Sequence, residues 1–366
     1  MTTVRPTSSY TQLGVVYAEQ MATQGVAASM LTHKWQAGDL IAPHSDIDIR
    51  VILDRAPDSW WEWNEQLAAA HHQAVLLDPT HSRLLEHPPG FAFTASELDR
   101  NLVSPAEIST WSLATGNATT LQRWKSRAQM MPWSRADERF YRGILDARIG
   151  GRYELDKDST DNVHHDLDGY RRHCVAWHYV APCWFASAAL ATRTRCPGKT
   201  AALNQWHPGE LESHAEEFLR LSTATSDPSP SPAQVLRTAH VTVDAVLRRT
   251  PPPRPLPEPP GTNTAAWTTA AGMLRVRVAR WIYYLTPPPE AATGYLIARE
   301  EKELRSARKT LTRLAERTSG DDALLLKAMT ALLPPGPTTA SALRDLLALW
   351  SRQRSVVEDF LSAHSA

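Results

Sequence analysis

Two aspartates stand one residue apart in an otherwise apolar stretch, Asp46 and Asp48 in "HSDIDIRVILD". The β-branched residues around them predict a buried strand. Alternate residues of a strand share a face, so both carboxylates would lie on the same side. Carboxylates that close repel each other unless a cation lies between them. Mg²⁺ prefers oxygen ligands and keeps coordination positions for phosphate, so the pair predicts a Mg²⁺ site for phosphoryl or nucleotidyl transfer. The alternative is a surface strand with outward polar residues.

The longer segment "GDLIAPHSDIDIRVIL" resembles the strand-turn-strand signature of the nucleotidyltransferase superfamily, which has a DNA polymerase β-like catalytic fold. In that family a Gly-Ser pair begins a turn and "SDIDL" follows on the next strand. The resemblance implies that Asp46 and Asp48 hold a Mg²⁺-nucleotide, with Ser45 beside it.

The family also uses a third carboxylate from a later, adjacent strand. The resemblance makes Glu86 in "SRLLEH" the candidate, with Glu97 and Asp78 as alternatives. A carboxylate at this position can act as a metal ligand or as a general base toward the attacking group.

The chain departs from the family pattern at the turn. Where the family has Gly-Ser, this sequence has His33-Lys34, or Gly38-Asp39 if the turn is shorter. Lys34 can place a point charge on phosphate, and His33 can act similarly. The same departure leaves open a changed chemistry or an inactive fold.

A second segment, "YVAPCWFASAALATRTRCPGKTAALNQW", is similar to the helical domain of aminoglycoside-type adenylyltransferases. There a "K-x-x-A-x-x-W"-like stretch follows a short turn. The matching residues here are Lys199, Ala202 and Trp206, with one residue more between the alanine and the tryptophan than in that pattern. The similarity implies that Lys199 reaches the nucleotide phosphates across an interdomain cleft. The alternative is a solvated lysine after a Pro-Gly turn.

A basic run, "RWKSRAQMMPWSR", contains Arg123, Lys125 and Arg127. A run of this kind is usually a solvated helix face. It could instead hold a phosphate-rich ligand such as the end of a tRNA.

The elements that must position these residues form an α/β unit at the N-terminal end. Periodicity predicts a helix over residues 11–30, a strand in "SDIDIRVILD", a helix capped by Asp58, a strand in "SRLLEH" and a short strand in "FAFTASEL". The remaining signals are mostly helical. They include a helix in "SPAEISTWSLATG", a long apolar helix that Pro182 could break, and four amphipathic helices at the C-terminal end.

The predicted fold class is α+β, with a small mixed β-sheet in a nucleotidyltransferase domain followed by helical domains. The predicted boundaries are 1–105 for the α/β domain, 106–222 for a helical substrate domain, 223–265 for a Pro-rich linker with a helix, and 266–366 for a helical bundle.

Composition limits the remaining classes of protein. Lys+Arg and Asp+Glu both number 39, so bulk charge does not predict a nucleic-acid-coating protein. Three scattered cysteines fit a reducing cytoplasm rather than a disulfide framework. We expect no membrane partner, because no apolar run of about 18 residues is present.

Together with the paired aspartates, the two resemblances imply Mg²⁺-dependent nucleotidyl transfer, most simply adenylyl transfer from ATP, to a small-molecule acceptor such as an antibiotic or a natural-product intermediate. Two alternatives stay open. One is a diverged enzyme of the same fold that forms amides with ATP or tRNA. The other is a catalytically silent module that binds RNA or protein.

Overall fold

The computed structural model of the 366-residue chain describes residues 8–35, 39, 46–78, 84–146, 173–205, 232–256, 258, 261–288, 291, 293–334 and 339–365. Its strands are β1 (Met30–His33), β2 (Ile49–Leu53), β3 (Phe91–Thr94) and β4 (Ser112–Thr115). The helices between residues 8 and 145 are α1 (Ser8–Thr23), α2 (Trp60–Leu76), α3 (Ala95–Asp99), α4 (Pro105–Ser109), α5 (Ala118–Met130) and α6 (Arg135–Leu145).

The rest of the described chain is helical. Its helices are α7 (His173–Thr192), α8 (Lys199–Gln205), α9 (Pro232–Arg249), α10 (Thr262–Leu274), α11 (Arg277–Leu285), α12 (Gly294–Ala315), α13 (Gly320–Ala331), α14 (Ala340–Arg352) and α15 (Arg354–Ser362). The described residues as a whole are thus mostly helical with one small mixed sheet, in agreement with an α+β class. None of the helices in the described ranges combines the length and the apolar content that a membrane span requires.

The four strands are arranged in the order β3-β2-β1-β4. Strand β1 pairs antiparallel with β2, with Leu31 opposite Val51, and also pairs antiparallel with β4. Strand β3 pairs parallel with β2, with Arg50 opposite Phe91. The parallel pair matters for function because it brings the residues just before β2 and just before β3 to the same edge of the sheet.

Three predictions about strands need correction. The strand predicted to contain Asp46 and Asp48 begins only at Ile49, because the Ile47 N–H donates to Leu84 O (2.8 Å) rather than to a strand neighbour. Residues 84–87 of "SRLLEH" are not a strand, and two prolines, which cannot donate to a ladder, follow them directly. The helix predicted in "SPAEISTWSLATG" ends at Ser109, and its second half is β4, because pairing with β1 overrides local propensity.

Other boundaries also differ from the predictions. Ser59, not Asp58, caps α2, since its hydroxyl accepts from the Glu62 N–H at 3.1 Å. Pro182 lies inside the continuous helix α7. The tight packing of residues 181–190, all of them buried, accounts for a helix that tolerates one lost hydrogen bond.

Six helices, rather than the predicted four, are present in the described residues at the C-terminal end, because the first and the last predicted helix are each divided into two by a bend. The bend between α10 and α11 follows Arg275, whose guanidinium is fully buried. The Arg275 guanidinium forms a two-point ion pair with the Glu97 carboxylate, with N–O distances of 2.7 and 2.8 Å. This contact joins the C-terminal helices to the end of β3.

One hydrophobic core includes both the sheet with its first two helices and the C-terminal helices. Val51 and Leu67 belong to it together with Trp281, Trp350 and Phe360. The contact between the layers is close where α10 crosses β3, because a Cβ atom at Gly272 would overlap the Phe93 ring. The packing therefore holds α10 directly against β3.

Helices α6, α7, α8 and α9 pack around a second core, which includes Tyr141, Trp184, Phe185 and Val246. After α9, residues 251–256 have no regular secondary structure, in the middle of the predicted Pro-rich linker. Trp35, which follows β1, packs against this second core and contacts Phe185 edge-on with a centroid distance of 5.1 Å.

Candidate metal centre

The two aspartates lie on a short segment without regular secondary structure that leads into β2. The Asp48 carbonyl accepts from the Lys34 N–H (3.0 Å), and Ile47 between the aspartates is buried in the main core. With the intervening residue facing inward, the neighbours on both sides face away from the core. Asp48 keeps a side-chain exposure of 31%. Asp46 and Asp48 therefore lie on the same side, as expected, although β2 starts only after them, at Ile49.

A histidine completes the group. One ligand atom from each of Asp46, Asp48 and His87 lies within 4.8 Å of the other two. The His87 Nε2 atom is 3.9 Å from Asp48 Oδ1. Since β2 and β3 run parallel, the residues ahead of the two strands meet at one sheet edge, and this brings His87 to the aspartates across 39 residues of sequence. Two carboxylates and an imidazole are a suitable ligand set for a divalent cation.

The hydrogen bond at the other ring nitrogen defines the tautomer of His87. Its Nδ1 atom lies 2.7 Å from the Pro88 carbonyl oxygen, which can accept but not donate. Nδ1 therefore carries the proton, and in the neutral ring Nε2 presents a lone pair toward Asp48. Burial, assisted by the charge of Arg280, lowers the pKa of His87 to about 4 despite the opposing effect of Asp48. The ring is neutral at pH 7, as a metal ligand must be.

Cations surround Asp48. Burial raises the pKa of this carboxyl, but the charges of Arg50, of His87 in its protonated form, of Lys34 and of Arg299 outweigh that effect and hold the pKa well below its usual range. Arg299 belongs to α12, so the C-terminal helices contribute to the field at the cluster. Asp48 is consequently a carboxylate at every pH at which the protein would act.

Asp48 is not a simple partner of Arg50. The Arg50 Nε atom binds Glu107 Oε1 at 2.8 Å, whereas the closest approach of Arg50 to Asp48 is 3.9 Å. Glu107 also contacts Lys34, with an N–O distance of 3.6 Å, and these two cations outweigh burial and lower the pKa of Glu107 to about 2. The partly exposed Asp48 carboxylate thus remains able to bind a cation, while Glu107 neutralises the charge behind it.

Glu86, predicted as third ligand or base, is not a member of this three-residue group. Its carboxyl group is buried toward α11, where its charge adds to burial in raising the pKa of Tyr283. Glu97, an alternative, is bound to Arg275 with no exposed side-chain surface. The neighbour of Glu86, His87, takes the third position. Sequence reasoning missed His87, because the adjacent pair Glu86-His87 does not by itself show which of the two side chains faces the aspartates.

The two predicted lysines approach one indole ring. The Nζ atoms of Lys34 and Lys199 lie 5.5 and 4.7 Å from the centroid of Trp35. Lys199 begins α8, where Asp39 accepts from the Lys199 and Thr200 N–H groups at 2.9 and 2.7 Å. Lys34 contacts Glu107, and Glu107 also binds Arg50. A cation bound by the aspartates would therefore lie near Lys34.

Two other predicted nucleotide ligands do not add to this arrangement. His33 is buried beside Gly14 of α1, and burial lowers its pKa to about 4. This position places the imidazole between α1 and the sheet, whereas Lys34 follows on the other side. Ser45 and Gly38 lie outside the described residues. The Asp39 carboxylate requires a glycine opposite it, because a Cβ atom at Gly198 would overlap it.

The basic run of α5 makes contacts within the protein. Arg123 forms an exposed ion pair with Asp99 at 3.2 Å, and Lys125 donates to the Trp111 carbonyl at 2.8 Å. Arg127 donates to the carbonyls of Leu98 and Asp99. These contacts attach α5 to α3 and to the residue that precedes β4.

Comparison of the chain with protein-family models, with curated proteins and with solved structures found no match. The basis for a functional proposal is therefore the geometry of the site itself.

Proposed function

We propose that the protein is a metal-dependent nucleotidyltransferase that moves a nucleotidyl group, most simply adenylyl from ATP, to a small-molecule acceptor. The single observation that carries the proposal is the grouping of Asp46, Asp48 and His87 within 4.8 Å at one sheet edge. The lysine beside this edge, Lys34, supplies positive charge on the side from which phosphate would approach.

The ligand set fits a divalent ion. Asp48 is ionised, and the neutral His87 ring presents a lone pair on Nε2. A bound divalent ion would supply charge for the oxygens of the triphosphate and of the attacking group. The acceptor oxygen or nitrogen would form a bond to the α-phosphorus and release its proton to water. The bond from the α-phosphorus to the bridging oxygen would break, and pyrophosphate would leave with that electron pair.

The residues around the ligands have separate roles in this proposal. Lys34 and Lys199, which both lie over Trp35, would bind phosphate oxygens as point charges. Arg50 would orient Asp48, and Glu107 would hold Arg50 in place. An acceptor with a hydroxyl or amine, such as an aminoglycoside-like antibiotic or a natural-product intermediate, would fit this reaction.

The test is a transfer assay with α-labelled nucleoside triphosphates, a divalent salt and a panel of polyhydroxylated and amine-bearing acceptors. A labelled acceptor together with stoichiometric pyrophosphate supports the proposal. Release of AMP without a stable labelled acceptor would instead favour amide formation through an adenylated carboxylate.

Calorimetry separates a silent binding module from both enzymes. The titrant is ATP, with and without the divalent ion, and the control is the Asp46→Asn, Asp48→Asn double variant. A metal-dependent heat that the double variant loses supports a nucleotide site. Equal or absent heats in all titrations would contradict the proposed function.

A further inference from the structure

The third position of the metal group holds a nitrogen ligand rather than a carboxylate. The His87 ring is buried, and its Nδ1–H group is used by the Pro88 carbonyl at 2.7 Å. Its Nε2 atom lies 3.9 Å from Asp48 Oδ1, beyond hydrogen-bonding distance. A buried ring nitrogen with a lone pair thus points into a pair of carboxylates without forming a hydrogen bond to them.

The spacing suits direct coordination. Two ligand atoms bound to one octahedral ion at about 2.1 Å lie about 3 Å apart when adjacent and about 4.2 Å apart when opposite. The 3.9 Å between His87 Nε2 and Asp48 Oδ1 lies between these two values, so a shift of at most about 1 Å brings the two atoms to one of them. One carboxylate oxygen of Asp46 lies within 4.8 Å of both atoms, so Asp46 is placed to supply the third ligand.

The support behind the ring is of the kind found at metal sites. Metal-binding histidines usually donate their second N–H group to a carbonyl or carboxylate, which fixes the ring orientation and makes the free nitrogen a better ligand. The Pro88 carbonyl does this for His87. The arrangement is therefore built before any ion arrives.

We propose that His87 coordinates the metal directly through Nε2 and that the site selects a first-row transition ion, Mn²⁺ in the first instance, over Mg²⁺. Mg²⁺ prefers oxygen ligands, whereas an imidazole nitrogen favours transition ions. Among these ions Mn²⁺ also accepts carboxylates, waters and phosphates, which the two aspartates and a triphosphate provide. The inference concerns the same site as the proposed function and rests on it for its catalytic meaning.

The test uses the full chain with Mn²⁺ alone, without nucleotide. Pulsed electron paramagnetic resonance detects ¹⁴N coupled to bound Mn²⁺, and calorimetry gives the Kd values for MnCl₂ and MgCl₂. We expect a nitrogen coupling in the wild-type protein. Loss of a residue that binds the metal weakens metal binding at least as much as loss of a residue that only hydrogen-bonds to such a ligand. We therefore expect His87→Gln to weaken Mn²⁺ binding about tenfold or more.

Two further variants define the cause. His87→Asp restores an all-oxygen ligand set, so it should abolish the nitrogen coupling and lower the ratio of Mg²⁺ Kd to Mn²⁺ Kd by about tenfold. His72→Gln is the matched control, because His72 lies on α2 outside the metal group and should change neither quantity. Circular dichroism verifies that all variants are folded.

A wild-type spectrum of bound Mn²⁺ without nitrogen coupling overturns the inference, as does an unchanged Kd ratio in His87→Asp. These outcomes are distinct from failure of the proposed function. If the protein shows nitrogen coordination but transfers no nucleotide, the inference about His87 stands and the proposed transferase function is wrong. If it transfers nucleotide without nitrogen coordination, the transferase function stands and the inference about His87 is wrong.

Discussion

The buried ion pair between Glu97 and Arg275 allows a quantitative test of how the C-terminal helices are joined to the sheet. Both side chains have zero exposure, and the two N–O distances are 2.7 and 2.8 Å. Arg275 also donates to the Leu361 carbonyl at 2.9 Å, and its guanidinium lies 4.7 Å from the Trp60 ring centroid. The guanidinium therefore cannot move to water when its carboxylate partner is removed.

The substitution Glu97→Gln conserves volume and removes the charge. Because the arginine would remain buried without a counter-charge, we expect the free energy of unfolding to fall by about 3–5 kcal/mol. The matched control is Glu62→Gln, which breaks an exposed pair with Arg354 at 3.0 Å and should cost less than about 1 kcal/mol. Urea denaturation followed by tryptophan fluorescence measures both.

Two outcomes would refute this reasoning. A loss in Glu97→Gln no larger than that in Glu62→Gln would mean that Arg275 finds water or another partner. Separate unfolding of the sheet and of the C-terminal helices, resolved by hydrogen exchange, would mean that they do not unfold as one unit, contrary to the core they share.

Three other predictions concern the site and the buried histidines. Nucleotidyl transfer by the Asp46→Asn, Asp48→Asn double variant should fall by orders of magnitude with unchanged circular dichroism; unchanged turnover would remove the catalytic role of the pair. Lys199→Met should raise the KM for the nucleoside triphosphate more than it lowers kcat, and an unaltered KM would mean that this lysine does not contact phosphate. Burial holds the pKa of His33 at about 4 and lowers that of His71 well below 6.5, so both rings fold neutral. The unfolded chain binds more protons below about pH 6.5, so stability should be complete above that pH and fall as the pH approaches 4, by roughly 3 kcal/mol for His33 alone. Equal urea midpoints at pH 7.5 and pH 4.5 would contradict this expectation.

The proposed transfer depends on residues from both halves of the described chain. Arg280 and Arg299 of the C-terminal helices influence the pKa values of His87 and Asp48. Lys199, at the start of α8, reaches the same Trp35 ring as Lys34. Helices that carry no recognisable motif therefore contribute charge at the metal group, and an N-terminal fragment would lose it.

Local sequence was sufficient for features that depend on residues close together in the chain. The alternation of Asp46, Ile47 and Asp48 predicts that the carboxylates share a side, and they do, because one buried residue between them orients both. The strand in "FAFT", most helices and the α+β class also follow from local periodicity. These features need no knowledge of distant partners.

Only the tertiary structure decided which distant residue joins the aspartates. Glu86 and His87 are adjacent and both polar, and sequence chemistry favoured the carboxylate. The parallel pairing of β2 with β3 turns His87 toward the metal group, while Glu86 is buried toward α11. Similarly, β4 exists because β1 offers an unpaired edge, and Glu97 is a structural residue because Arg275 reaches it from 178 residues away. Such contacts depend on how faces of separate elements meet, and no local pattern encodes that orientation.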